Sequence, residues 1–218
     1  GESKETLQRR LGHLQTAELL YETRPFPDPG FAFKHALMHE VTYGGLLKDR
    51  RRALHARAVE AIETLHRDRL GEHIEWLAHH ALRGELREKA VPYLRQAGNK
   101  AVGRLALAEA RGWFEQALGA VEALPESPAT LEQGFEIRLD LRRVLMQLGE
   151  VRQVLERLRE AAALADRLND DRRRGRVCAV LTNAHSHLGE LAEALVSGTG
   201  GLKIAGRARD HAQDVGSG

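Results

Sequence analysis

The chain has 218 residues, of which 42% are apolar, and its 33 basic and 31 acidic side chains leave a formal charge of +2. That length and apolar content suffice for one elongated domain or two small ones around a buried core, and they exclude wholesale disorder. Near-cancelling charge gives no electrostatic reason to name nucleic acid as the main partner, and the single Cys178 excludes an internal disulfide framework and suits a reducing cytoplasm.

No apolar run reaches the about 18 residues that would cross a bilayer, and no secretory signal opens the chain. It starts on Gly1-Glu2-Ser3 inside a polar helix, without an initiating methionine, and so reads as a segment of a longer protein. Leu7, Leu11 and Leu14 at helical spacing predict a first helix over about residues 4 to 17. Glu18 to Thr23 and Phe31-Ala32-Phe33-Lys34 flank a loop containing Pro25, Pro27, Asp28, Pro29 and Gly30, which is a hairpin signal. The prolines cannot donate to a strand ladder and must lie outside the paired residues. Helix, strand, long loop, strand is the order at the end of a winged-helix unit.

From Ala36 onward the pattern is helical. The first helix, about 36 to 47, holds Leu37, Val41, Leu46 and Leu47; the second, about 50 to 67, presents Leu54, Ala58, Ala61, Ile62 and Leu65 on one stripe. A third covers about 70 to 83, with Ile74, Trp76, Leu77 and Leu82, and stops at Gly84 as a left-handed cap. A fourth runs from about 86 to 104, where Pro92 either kinks it or lies near its first turns. Further helices are expected near 107 to 123, 129 to 148, 151 to 168, 171 to 188 and 190 to 197. Beyond Ser197, Gly198, Gly200, Gly201 and Gly206 predict a tail that frays or is held only by packing, at about 1 kcal/mol per interior glycine.

These helices repeat. Leu94, Ala97, Gly98, Ala101, Ala110, Phe114 and Ala117 match the tetratricopeptide pattern, in which small residues let two antiparallel helices approach and an aromatic fills the gap. Gly149 begins a looser copy with Leu141, Leu145, Val154, Leu158 and Ala161. Gly189 begins a third with Cys178, Leu181 and Ala194, and Gly84 marks a degenerate earlier one. Gly149 and Gly189 lie 40 residues apart, against about 34 for the usual repeat. Stacked hairpins of this kind form a right-handed solenoid with a concave groove.

FAFKHALMHEVTYGGLL from Phe31, then Arg51-Arg52-Ala53-Leu54-His55, Glu75-Trp76-Leu77-Ala78-His79-His80 and Lys89-Ala90-Val91-Pro92-Tyr93-Leu94 with Ala97-Gly98, occur in that order. Together they resemble the region that follows the nucleotide-binding module in large bacterial signal-transduction ATPases of the STAND type. Such proteins often carry a class III adenylate/guanylate cyclase or a DNA-binding transcription-activator domain. The resemblance spans about residues 5 to 195 and is most specific over 31 to 98. It implies a winged-helix arm ending near residue 35, followed by a tetratricopeptide-like sensor. The chain itself has no G-x-x-x-x-G-K-[ST] phosphate loop and no cyclase domain, so neither ATP binding nor cyclisation is assigned to its residues.

Several residues look like chemistry. His35 and His39, four apart beside Glu40, have the spacing of a shared metal, but no HExxH accompanies them and they read better as a bridge between hairpin and helix. His79 and His80 project about 100° apart on a helix, which argues against joint chelation, so no metal, cofactor or catalytic set is expected. Cys178 has no histidine or lysine within one turn and reads as structural. Lys48, Arg50, Arg51, Arg52 and Arg57 could meet phosphate, but a single basic turn in balanced surroundings reads as a solvated helix start or an interdomain salt-bridge surface. Arg172, Arg173 and Arg174, after Asp170 and Asp171, read as an exposed helix entry with the aspartates at the positive end of the dipole.

The resulting expectation is an all-α chain: a winged-helix remnant with a β-hairpin (1–35), a tetratricopeptide-like solenoid (36–197) and a weakly structured tail (198–218). The first helix of each hairpin would line a groove bearing Arg95 and Asn99, Arg143 and Gln147, Arg176 and Asn183. Guanidinium and amide groups in a stripe suit carboxylates or the backbone of an extended acidic peptide. The expected role is non-catalytic. The chain would be a cytoplasmic interaction and regulatory module whose partner is a protein, a peptide or an adjacent domain of the same chain. The alternative is a nucleic-acid-binding regulator acting through the winged-helix end.

Overall fold

The computed structural model describes residues 3–24 and 30–215. The proline-rich loop expected at 25–29 and the last three residues lie outside the described residues. Among the described residues there are ten α-helices and one two-stranded antiparallel sheet, so the chain is all-α with a small hairpin. The chain divides into two compact units, Gly1–Leu54 and His55–Gly218. The division falls inside a helix.

In the first unit, α1 (Lys4–Thr16) is N-capped by Ser3, whose hydroxyl accepts from the Thr6 amide at 3.2 Å. Strand β1 (Leu20–Arg24) pairs with β2 (Gly30–Phe33), setting Leu20 opposite Phe33 and Glu22 opposite Phe31. Helix α2 (Ala36–Gly44) buries none of its residues. Leu37 and Val41 are 69% and 66% exposed, so the apolar residues expected in a repeat core face outward within this unit. His39 lies between Phe33 of β2 and Tyr43, with ring centroids 5.5 and 5.7 Å away. Its edge-on contact with Phe33 and its stacking on Tyr43 bridge hairpin and helix.

Helix α3 (Lys48–Leu65) carries the chain into the second unit. Its buried stripe consists of His55 and Val59, with Ile62 half-buried, whereas Leu54 and Leu65 are exposed. The buried face is therefore turned by about one residue from the expected stripe. The helix expected at 70–83 is instead a 3-10 stretch, Arg67–His73, bent at Arg69 (φ −135°, ψ 31°), followed by α4 (Ile74–Arg83).

Then come α5 (Arg87–Gly103), α6 (Leu107–Glu122), α7 (Pro128–Gln147), α8 (Val151–Arg167), α9 (Asp171–Leu188) and α10 (Leu191–Val215). From α4 onward each helix packs on the next, and α5 also touches α7. Pro92 lies inside α5 on its exposed side, where the missing N–H leaves the Glu88 carbonyl to solvent. Ser127 and Thr130 form a reciprocal capping box at the start of α7, with Pro128 in its first turn.

Every apolar position of the best-matched repeat is buried. Leu94, Ala97, Ala101, Ala110, Phe114 and Ala117 are each 0% exposed. A β-carbon on Gly98 would stand 2.7 Å from the Phe114 ring, so the glycine is what lets α6 seat its aromatic against α5. The second copy is buried as well, through Leu141, Leu145, Val154, Leu158 and Ala161. In the third, Ala194 is buried but Cys178 and Leu181 are only half-buried.

Two glycine expectations change. Gly149 and Gly189 do take left-handed φ values of 77° and 73°, but Gly84 is right-handed (φ −80°), and Glu85 (φ 55°) makes the turn instead. Gly84 is needed for proximity, because a β-carbon there would meet the Ala56 amide nitrogen and the His80 carbonyl, both at 3.0 Å. The glycine-rich tail is part of α10. A β-carbon on Gly198 would lie 3.6 Å from Thr182, and one on Gly201 3.3 Å from Cys178, so close packing on α9 offsets the propensity cost.

Candidate functional site

The six groove positions fall on α5, α7 and α9, and Asn99, Arg143, Gln147, Arg176 and Asn183 are exposed while Arg95 is half-buried. Two carboxylates of α7, absent from the sequence expectation, organise the arginines. Arg95 Nε donates to Asp140 Oδ2 at 2.6 Å and its guanidinium lies 3.8 Å from Glu136. Arg143 Nη2 donates to Asp140 Oδ1 at 2.5 Å. Arg176 Nη1 donates to Glu136 at 3.1 Å. Asp140 is 6% exposed. The stripe is therefore an alternating ladder in which three guanidinium groups face two carboxylates. Its surplus positive charge is smaller than the arginines alone suggest.

Arg142 adds to that surplus. Its Nε is buried without a hydrogen-bond partner, and burial, reinforced by the Arg143 and Arg176 charges, makes its protonation harder than usual. Next to the ladder, a polar cleft of about 410 Å³ is lined by Glu136, Asp170, Arg172, Arg173 and Arg176. Asp170 caps α9 by accepting from the Arg173 amide at 2.9 Å, and this hydrogen bond holds its carboxyl below the usual range. Arg173 and Arg174 are ion-paired, to Asp170 and to Asp166 and Asp171 respectively. The helix entry is thus salt-bridged, and only Arg172 of the three is exposed.

His79 and His80 do converge, with a third histidine from α3. One ring nitrogen from each of His55, His79 and His80 lies within 4.8 Å of the others, and His55 Nδ1 is 2.8 Å from His80 Nδ1. Adjacent helical residues leave the backbone in different directions, but imidazole arms are long enough to bring their nitrogens together over a neighbouring helix. Burial lowers all three pKa values below the ordinary histidine range; His80 and His79 reinforce this for His55, Arg83 for His79, and His79 for His80. His35 and His39 form no such cluster among the described residues.

Cys178 is half-buried, and burial, aided by the Asp166 charge, raises its thiol above the usual range. Alkylation by iodoacetamide is therefore expected to be slow at pH 7.5, with a rate midpoint above that of a free cysteine thiol. A midpoint below that of a free cysteine thiol would identify an activated thiolate and defeat the structural reading.

No protein-family model matches the chain. An uncharacterized protein of Rhizobium meliloti (strain 1021) is 34% identical over 97 residues, which is 44% of this chain and 9% of that protein. The chain therefore spans less than a tenth of the length of that relative. The crystal structure of BtubC (BKLC) from P. vanneervenii has a TM-score of 0.49 and 17% identity, over 73% of this chain and 74% of that one. No helix among the described residues is long and apolar enough to cross a membrane.

Proposed function

We propose that the second unit is a non-catalytic, tetratricopeptide-like interaction module whose α5, α7 and α9 bind an extended acidic segment of a protein partner. The observation that carries this reading is the Arg95–Asp140–Arg143 and Arg176–Glu136 ladder, which places three guanidinium groups on neighbouring helices. An acidic peptide would exchange its carboxylates for those of Asp140 and Glu136, while Asn99, Gln147 and Asn183 hold its backbone amides. In this reading the helices stack as a solenoid with these positions on the concave side. The reducing cytoplasm suits a lone, unpaired thiol.

The resemblance of residues 31 to 98 supports placing the module in a multidomain signalling ATPase or nucleotide cyclase, with residues 1–35 as the end of a winged-helix arm. A match to a small fraction of a far longer relative fits a module of that kind. Partner binding would then bias the nucleotide switch, and deleting the module would change the parent's ATPase or cyclase response.

A fluorescent Glu-rich peptide measured by anisotropy tests the groove. Arg143→Glu is expected to weaken binding about tenfold or more, and Asp140→Asn to strengthen it by releasing two guanidinium groups. Affinity unchanged in Arg143→Glu, or equal affinity for a Lys-rich peptide, rules the groove out. The effect should shrink with salt, because exposed charges are screened over about 10 Å at 0.1 M.

A further inference from the structure

We infer that His55, His79 and His80 form a binding site for a zinc-class transition-metal ion that clamps α3 to α4. Three imidazole nitrogens within 4.8 Å of one another already occupy one small volume. In a tetrahedral zinc site, bonds of about 2.0–2.1 Å put ligand nitrogens about 3.4 Å apart, so closure needs side-chain adjustments on the order of 1 Å and no backbone change. The 2.8 Å contact between His55 Nδ1 and His80 Nδ1 has room for one proton, so one of those rings already offers its lone pair inward. A metal ion would take the place of that proton, which moves through solvent to the Nε2 of the same ring, and both neutral rings would hold the ion through Nδ1.

The donor chemistry selects the ion. Three neutral nitrogens without a carboxylate suit zinc, cobalt, nickel or copper and disfavour magnesium and calcium, which need oxygen. His79 is exposed while His55 is only 9% exposed, giving the cluster one open side for entry and for a water as fourth ligand. Arg83, one turn beyond His79, has a charge felt by both His55 and His79. With that cation nearby and no anionic ligand, the expected dissociation constant is micromolar rather than nanomolar. His55 and His80 lie 25 residues apart in sequence on different helices, so a bound ion stabilises the packing of those helices by mass action.

Chelator-stripped full chain titrated with zinc chloride by calorimetry should show one ion per chain. Cobalt should give the visible absorption of a tetrahedral nitrogen site, and zinc should raise the unfolding temperature reversibly with EDTA. His79→Ala, at an exposed position, should keep the helical circular dichroism and weaken zinc binding at least about tenfold. His55→Ala should do the same if it remains folded. His66 and His73, whose rings lie 4.0 Å apart, are the internal control, and His66→Ala should leave binding unchanged. Unaltered affinity in His79→Ala, loss of binding in His66→Ala, or no binding at 100 μM zinc would each overturn the proposal.

Discussion

Truncating Phe114 to alanine is expected to cost about 3–5 kcal/mol of stability, the range for a buried aromatic that leaves a cavity. Phe114 is 0% exposed and faces Gly98 across the α5–α6 contact. The reciprocal change is more discriminating. Gly98→Ala gains about 1 kcal/mol of helix propensity in isolation. However, its β-carbon would meet three ring atoms at 2.7, 2.8 and 2.9 Å, and overpacking costs about 1–3 kcal/mol. The ring has no exposed side toward which to swing, so packing wins and the variant is destabilised.

A double-mutant cycle decides the cause. Phe114→Leu should remove most of the penalty of Gly98→Ala, giving a coupling of about 1 kcal/mol or more. Additive losses in denaturant melts would mean that the Gly98–Phe114 contact is not what sets the helix spacing. Amide exchange should accelerate first in α5 and α6, because in stacked hairpins the strongest coupling is to neighbours.

Arg138→Ala should cost about 2–3 kcal/mol. Arg138 is 8% exposed in the middle of α7. It donates from Nη2 to Glu122 of α6 at 2.6 Å, from Nε to Glu160 of α8 at 2.8 Å, and from Nη1 to the Gly134 carbonyl at 3.1 Å. One planar fork thus joins three consecutive helices, which an ammonium group cannot reproduce. Removing one partner of a buried pair can cost about 3–5 kcal/mol. Glu122 and Glu160 are 56% and 38% exposed, so water recovers part of that loss.

Gly134 belongs to the same arrangement, because a β-carbon there would stand 3.2 Å from Arg138 Nη1. Arg138→Lys should retain less than half of the stabilisation, and Arg138→Met should fall between lysine and alanine because its stem still fills space. Urea midpoints measure the order. An Arg138→Ala midpoint equal to that of the parent would show that the fork contributes nothing.

Much of the second unit was legible in residue order. The spacing of Leu94, Ala97, Gly98, Ala101 and Phe114 carries both the helix period and the small-to-large complementarity of two helices, and each hairpin needs only its immediate neighbour to bury those faces. Outside those hairpins the same reasoning failed. Leu37 and Val41 have helical spacing but are exposed within their own unit, and the α3 stripe turned by one residue to bury His55 and Val59. Gly84 was recognised as a helix stop, but its reason, the nearby Ala56 backbone, lies 28 residues earlier.

The candidate sites divide the same way. Periodicity alone placed Arg95, Arg143 and Arg176 within helices, those that the structure shows as α5, α7 and α9, since that placement depends on local register. Asp140 pairs with Arg143 three residues on within α7, but only the tertiary structure decided that Asp140 and Glu136 also partly neutralise Arg95 and Arg176. It also brought His55, 25 residues before His80, to complete a nitrogen cluster that two adjacent histidines cannot make alone. Charge pairing and ligand convergence depend on which helix stands beside which, and on how far a flexible side chain reaches across the gap. No repeat spacing encodes either quantity.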